Sequence, residues 1–509
     1  MIFKRRKKIE KPIASADDNK DEQRIPQGIF PEIIDNKVYF KERFSKSFDL
    51  ILDEHAYGEI KIVFASLDGM YNNLLAVEGV IRPVCSYAQH AASPQELIDG
   101  ILNRADAECD CKVLINIDDA VAAVLDGCMV LMAGGCMTAL AFSVQGYAKR
   151  GIEEPQSEVQ EFGSHEGFTE LFKDNVTMIR RVLRTPRLVF ETVDVGEAGN
   201  TKVCICYHAD RAAPEIVETV RDRIKSAKLD VLFGSCELKP FLDADSPSLF
   251  SGVGMTERPD VLASKLSEGR VAVIVNGSPY ALYVPHLFVE NFHSLDDYYN
   301  RPYYAALIRI LKIICFFIAA ALPGIFVAVG TFHQELFPAD VLYDIVASSS
   351  KTPFPLVIEA LVIHFIYEIV REAGLRVPKV VGHAVSIVGA LVIGDAAVTA
   401  GLIAAPMLII VAMTAISSAA VPAIYQPVAV LRFFLIIVGG VLGLYGILMA
   451  FGFITANLCS VNPYGVPFMS PLSPFDKRAQ RDNIFFLGWK KTGDTAMKIQ
   501  NLKGSDLNE

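Results

Sequence analysis

Between Phe354 and Glu372, three titratable side chains (His364, Glu368 and Glu372) recur every four residues in an otherwise apolar stretch, with Arg371 beside them. That spacing puts them on one face of a helix. Charges at membrane depth face protein or water rather than lipid, so the stripe has three readings. It is an ion-pair seam between helices, a helix lying at the interface, or the lining of a polar passage. His364 and Glu368 also have metal-ligand spacing, but no second histidine lies near, and salt bridges account for the stripe without a metal. Glu359 adds a carboxylate upstream. Asp395 is the one acid in the apolar segment that follows: a functional group, a helix-end residue, or a partner of Arg432 or His383.

Elsewhere the chemistry is thin. Glu153, Glu154, Glu158 and Glu161 read as a solvated acidic run, and Thr256 or Glu257 as a cap for a helix that Pro259 helps begin. Cys109-x-Cys111 and Cys204-x-Cys206 lack the spacing of zinc or redox sites and read as free, mostly buried thiols in a reducing compartment. No G-x-G-x-x-G or P-loop motif occurs, so no cofactor is expected, and no set of residues suggests an enzyme. The net charge of −10 argues against nucleic acid.

The elements that must hold these residues divide the 509-residue chain unevenly. Residues 1–35 are a charged arm whose Lys4–Lys8 run touches anionic lipid or is solvated, and no apolar stretch follows it to make a signal peptide. Residues 36–150 and 151–300 alternate strand and helix patterns, giving two soluble α/β subdomains. In the first, a strand at Ile60–Ala65 precedes a helix that stops before Pro83. Lys112–Ile117 is a strand, and Ala120–Leu125, Cys128–Met132 and Met137–Ser143 form a meander turning at Asp126-Gly127 and Gly134-Gly135. In the second, helices are expected at Phe168–Leu183, Pro214–Lys225 and Arg258–Ser267. Strands are expected at Leu188–Val193, Lys202–Tyr207 and Val231–Phe233, with a hairpin across Asn276-Gly277.

Residues 301–460 hold the apolar runs: Ala305–Gly330, the polar-striped Phe354–Glu372, Val380–Ala404, Pro406–Tyr425 and Leu431–Leu458. They imply a transmembrane helical bundle of about four or five helices. Arg301, Arg309 and Lys312 mark the cytoplasmic end of the first run, and basic residues in the tail, 461–509, also favour the inside. Four full spans, Phe354–Glu372 not being one of them, reconcile the two. Gly382, Ser386, Ala390, Gly394 and Gly401, then Gly439, Gly443 and Gly446, are stripes of small residues where helix backbones can approach closely.

Several motifs together resemble one family. Glu154-Pro155, Gly163-Ser164-His165-Glu166-Gly167-Phe168, Ile179-Arg180-Arg181, Thr256–Asp260, Glu268-Gly269-Arg270, Asn276-Gly277, Asp296-Asp297-Tyr298-Tyr299, Pro353-Phe354-Pro355 and Arg371–Pro378 follow in order the pattern of GerA-type spore germination proteins, A subunit. Ser164-His165 departs from it, where the family usually has Pro at the first position. The resemblance implies a multi-pass subunit of a nutrient germinant receptor in the spore inner membrane, its N-terminal region cytoplasmic. It further implies a transporter-like B subunit and a C-subunit lipoprotein as partners, membrane lipid around the helices, and a homo-oligomer, with a pentamer expected, forming a nutrient-gated cation channel. On that expectation Glu359, Glu368, Glu372 and Asp395, with His364 and Arg371, are the pore or gating candidates. A non-conducting scaffold and a small-molecule transporter are the alternatives.

Overall fold

The computed structural model describes residues 28–508 except 46, 59, 103–109, 147–153, 156, 157, 159, 244–247, 377–393, 478, 484–487 and 489–497. The chain divides into two compact units, Met1–Arg150 with Leu183–Val189, and Gly151–Val182 with Phe190–Glu509.

The first unit runs α1 (Ile33–Phe44), β1 (Leu50–Tyr57), β2 (Ile60–Leu67), α2 (Asn73–Ala76), a π turn (Val77–Ile81), α3 (Arg82–Ala88), α4 (Pro94–Leu102), β3 (Cys111–Leu114), α5 (Ile117–Leu125), β4 (Met129–Ala133) and β5 (Ala139–Phe142). Its strands form one antiparallel sheet in the order β1-β2-β4-β5-β3. Phe40, Phe44, Val121 and Val124 of α1 and α5 pack on one face, against Val63, Ala65, Val130 and Met132. Val80, Val84, Leu97 and Ile101 pack on the other, against Ile62, Phe64, Leu131 and Leu140. Burial on both faces makes β4 a continuous apolar run instead of an alternating one.

Two expectations fail here. Ala120–Leu125 is not a strand but the second half of α5. Ile117, Ala120, Val121, Val124 and Leu125 are buried at helical spacing, and Asp118 and Asp119 sit in the first turn, where the helix dipole favours them. Asp126-Gly127 therefore ends a helix: Gly127, at φ +82°, donates to the Val124 carbonyl and Cys128 to that of Ala123. The helical path also runs on through Pro83. The π turn lets Pro83 fall in the first turn of α3, where a missing N–H is tolerated.

The second unit opens with α6 (Phe172–Val182), β6 (Leu188–Val195), β7 (Thr201–His208), α7 (Pro214–Ser226), α8 (Ser235–Leu242), β8 (Gly254–Thr256), α9 (Pro259–Ser267), β9 (Val271–Val275) and β10 (Ala281–Val284). Val231–Phe233 is not a strand. It runs as loop into α8, its Leu232 carbonyl accepting from Thr201 Oγ1 at 3.0 Å. The sheet order is β6-β7-β9-β10-β8, that of the first unit shifted by five strands, and the helices interrupt it at the same places.

Matching hydrogen bonds extend the likeness. Asn36, fourth in α1, holds both backbone groups of Phe30; Asn175, fourth in α6, holds both of Thr169. Ile29 donates to Ile115 as Phe168 does to Glu257, and Gly135 to Pro31 as Gly277 does to Glu170. The two α/β regions are thus two copies of one topology.

After a 3-10 turn (Phe288–Phe292) and α10 (Asp296–Tyr299) come α11 (Pro302–Phe332), α12 (Ala339–Ser349), α13 (Leu356–Arg376), a helical stretch at 394–399, α14 (Ala405–Ala419) and α15 (Tyr425–Ser460). Among the described residues, two helices are long and apolar enough to cross a membrane, α11 and the run Pro422–Ser460; Ala405–Ala419 is apolar but short. Packing between α11 and α15 dominates the bundle. Gly324 and Gly439 meet at their crossing, where a Cβ on Gly324 would lie 2.6 Å from the Leu435 carbonyl oxygen.

The remaining small residues behave differently from one another. Gly394 faces Leu408, while Gly401 (φ +68°) sits in the turn after the 394–399 helix, not on a helical stripe. Gly443 (φ +64°) breaks α15 in a conformation that costs glycine little, and the chain reverses there: Leu435 before it and Ala450 after it both pack on Ala321. Gly446 faces Leu442 and Val438 of its own helix. Gly382, Ser386 and Ala390 lie outside the described residues.

The tail returns to the α/β region that precedes α11. Tyr464 Oη donates to the Leu242 carbonyl at 2.6 Å, and Phe288 N to the Phe468 carbonyl at 3.0 Å. Ile499 N donates to the Glu268 carbonyl at 2.8 Å, and Val466, Ile499 and Leu502 pack with Leu287 and Val289.

Candidate functional site

The polar stripe of α13 does not form one continuous lining. His364 is fully buried and its Nδ1 lies 2.9 Å from the Ala360 carbonyl of its own helix; Glu372 is exposed and paired with Arg376 at 2.7 Å. Only Glu368, half-buried between them, reaches across the bundle. Its oxygens accept from Tyr425 Oη at 2.7 and 2.8 Å and from Arg432 Nη1 at 3.1 Å. Arg371 lies 3.8 Å from the same carboxylate and stacks on the Tyr425 ring, 3.4 Å from its centroid.

Arg432 is the centre of this clasp. With none of its surface exposed, it also donates through Nη2 to Ser418 Oγ at 2.7 Å and through Nε to the Ala319 carbonyl at 3.0 Å. That carbonyl is free for a reason: Pro323, four residues on, has no N–H to give it. One guanidinium therefore joins α11, α13, α14 and α15, and each of its bonds meets a group the low dielectric would otherwise penalise. Asp395 is not its partner. It is exposed, and Arg432 is committed to Glu368. His383 lies outside the described residues. Glu359, fully buried, accepts from the Ala404 N–H at 2.6 Å and so ties α13 to the start of α14.

A second polar cluster sits where the α/β region enters α11, and each residue of Asp296–Tyr299 serves a different element. Asp296 Oδ1 accepts from Phe162 N at 3.2 Å, in the loop that carries Gly163–Phe168. Asp297 Oδ2 accepts from Arg309 Nε at 2.9 Å, pinning α11. Tyr298 Oη donates to Asp482 of the tail at 2.9 Å, and Arg309 Nη1 reaches Asp482 and the Asn483 carbonyl at 3.1 and 2.6 Å. The Tyr299 ring fills the space beside Gly163. Burial raises the Asp482 carboxyl despite the opposing pull of Arg309. Burial, with the nearby Arg309 and Lys265 charges, holds the His293 imidazole well below its ordinary range.

The loop ahead of this junction is less solvated than its acidic run suggests. Glu158 accepts from Thr256 Oγ1 at 2.6 Å and from Glu257 N at 3.3 Å, while Glu154 is exposed near His165. Thr256 does not cap α9 directly; its hydroxyl accepts from Arg258 N, and Arg258 is the N-cap residue. Glu290, behind the junction, is held by Lys265 at 2.7 Å, Arg270 at 2.6 Å and the Leu287 N–H at 3.0 Å. The nine described cysteines are free, and three of them are buried.

The sequence marks Arg309 as a topology signal and offers Arg432 as a partner for Asp395, but neither the clasp nor the junction follows from it. A lone arginine deep in an apolar helix was the available signal, since such a charge requires an acid from elsewhere in the fold.

Comparison with known proteins places the chain. The family model described as Bacillus/Clostridium GerA spore germination protein matches residues 38–495. Spore germination protein KA of Bacillus subtilis is 37% identical over 473 residues, covering 92% of this chain and 87% of that protein. The uncharacterized membrane protein YfkQ of the same organism is 34% identical, covering 83% and 85%. The crystal structure of the N-terminal domain of the A subunit of the Bacillus megaterium spore germinant receptor GerK3 aligns with 52% of this chain and 99% of its own, at 22% identity and a TM-score of 0.41. The family match spans nine-tenths of the chain: this chain belongs to the GerA family of spore germination proteins.

Proposed function

We propose that this chain is the membrane subunit of a spore germinant receptor, that it assembles with copies of itself into a nutrient-gated cation channel, and that the Glu368–Arg432 clasp holds the closed state. The observation that carries the reading is the clasp, a buried ion pair tying four helices together. Such a pair is costly to desolvate and contributes specificity of arrangement more than stability, which suits an element with two arrangements. Transporter-like B and lipoprotein C subunits are the partners the family suggests, with the spore inner membrane as the location. In this reading the apolar helices of the bundle cross the bilayer, α11 and both halves of α15 among them, and Asp296–Tyr299 passes changes in the α/β region to α11. Glu359 and Glu368 are engaged inside the bundle, while Glu372 and Asp395 are exposed and available to meet cations.

Reconstitution into liposomes with a cation-flux assay tests this. Glu368→Gln weakens the clasp and is expected to raise flux through a defined oligomer severalfold. A stable monomer without flux in either protein favours a non-conducting scaffold and overturns the channel.

A further inference from the structure

A cavity of about 300 Å³ lies between α11, α15 and the tail, walled by Phe292, Phe316, Leu431, Leu435, Leu458 and Met469. Its polar end is made of His293, Arg309 and Asn483. These groups are already engaged: Arg309 with Asp297 and Asp482, and His293 with the Asn483 carbonyl at 3.1 Å. The cavity therefore offers apolar walls, and the charge at its polar end is met by Asp297 and Asp482, which disfavours an ionic ligand. A shallower groove of about 370 Å³, lined by Phe317, Ile318, Ala321, Leu322, Ile325 and Phe451, runs along the same two helices. Phe317 and Phe451 line both spaces, and their rings, in contact with centroids 6.2 Å apart, form the partition between groove and cavity.

We infer that one phospholipid acyl chain enters along the groove, parts the Phe317 and Phe451 rings, and fills the cavity. The inference rests on the proposed reading that α11 and α15 cross a bilayer, because at that depth the medium bathing the groove is lipid chain. An occupied cavity braces Phe292 and Phe316 against Leu431, one helical layer from the Arg309–Asp297 pair, so the lipid is a structural part of the junction that positions α11.

The test uses the full chain in phosphatidylcholine vesicles containing a lipid with a photoactivatable diazirine near the end of one acyl chain, with adducts mapped by mass spectrometry. Adducts are expected on Leu431 or Met469, which the outer lipid shell does not reach, as well as on the exposed Leu442, Tyr445 and Leu448. Ala320→Phe fills the cavity from α11 and is expected to reduce the inner adducts at least fivefold while leaving the outer ones unchanged. Thr455→Trp at the cavity rim serves the same purpose if that variant does not fold. Outer adducts alone overturn the inference, whether the space is then taken by residues 377–393, by a second copy or by nothing. No adducts on α15 at all overturn the bilayer reading on which it stands.

Discussion

At the scale of single residues, the energetics turn on charges with no water to fall back on. Arg432 is wholly buried, so replacing Glu368 by Gln leaves it undercompensated, at a cost of ~3–5 kcal/mol for a broken buried pair. Replacing both Glu368 and Arg432 by Met removes the desolvation penalty along with the attraction. The double variant is expected to melt above either single one in detergent; strict additivity of the two single effects would refute the coupling. Glu290 gives a pH signature. Burial alone would raise its carboxyl, but Arg270, Lys265 and His286 more than offset this and hold it well below the usual range. In the unfolded chain a Glu titrates near ~4.3, so between the two values the unfolded state binds more protons and stability rises with pH. The contribution is complete above that value and is lost as pH falls through the folded one. Thermal melts of wild type and Glu290→Gln are therefore expected to differ most at neutral pH and to converge below about pH 4. A gap that stays constant with pH would show that Glu290 acts through packing alone.

At the scale of elements, backbone proximity decides. Gly324 and Gly439 let α11 and α15 touch, and the obstacles to a side chain there are backbone carbonyls that cannot rotate away. Gly324→Ala and Gly439→Ala should each cost at least ~1–3 kcal/mol, as overpacking does. Gly452→Ala, with nothing within 4 Å, should be neutral or slightly stabilising in the same melts. Equal effects at all three positions would mean that the crossing is not tightly packed. Much of this level was legible in advance. Gly439 was on the small-residue stripe, and the long apolar helices showed in composition. What escaped was conformation that sequence type alone does not settle: Gly443 and Gly401 share the stripe's spacing but have positive φ. The first half of the chain misled for a related reason. Ala120–Leu125 is short and apolar, and such a run reads as strand or helix until Asp118 and Asp119 are taken as a helix start. That one misreading hid the duplication, because α5 is the counterpart of α9, each ending in an acid and a positive-φ glycine before a core strand.

At the scale of the whole molecule, the tail settles a question that charge counting left open. Five crossings from a cytoplasmic start would separate the tail from the α/β region, yet Asp482 and Asn483 bind Arg309, Phe468 packs with Phe288, and Ile499 bonds Glu268. These contacts require the tail and the α/β region to share one side, so if the helices cross a bilayer they do so an even number of times. The sequence held half of this argument in the basic residues of 477–491, but not the partners, which lie more than 170 residues away along the chain. A pair of epitope insertions makes it measurable. A tag at the C-terminus is expected to be protected in intact cells and accessible after permeabilisation, together with a tag in the β1–β2 turn at Gly58. A tag after Glu335, at the far end of α11, should be accessible without permeabilisation, since one helix of 31 residues separates it from Arg301. If the C-terminal tag instead reports with the Glu335 tag, the tail contacts do not form in the assembled protein, and Asp482→Asn would then leave its stability unchanged.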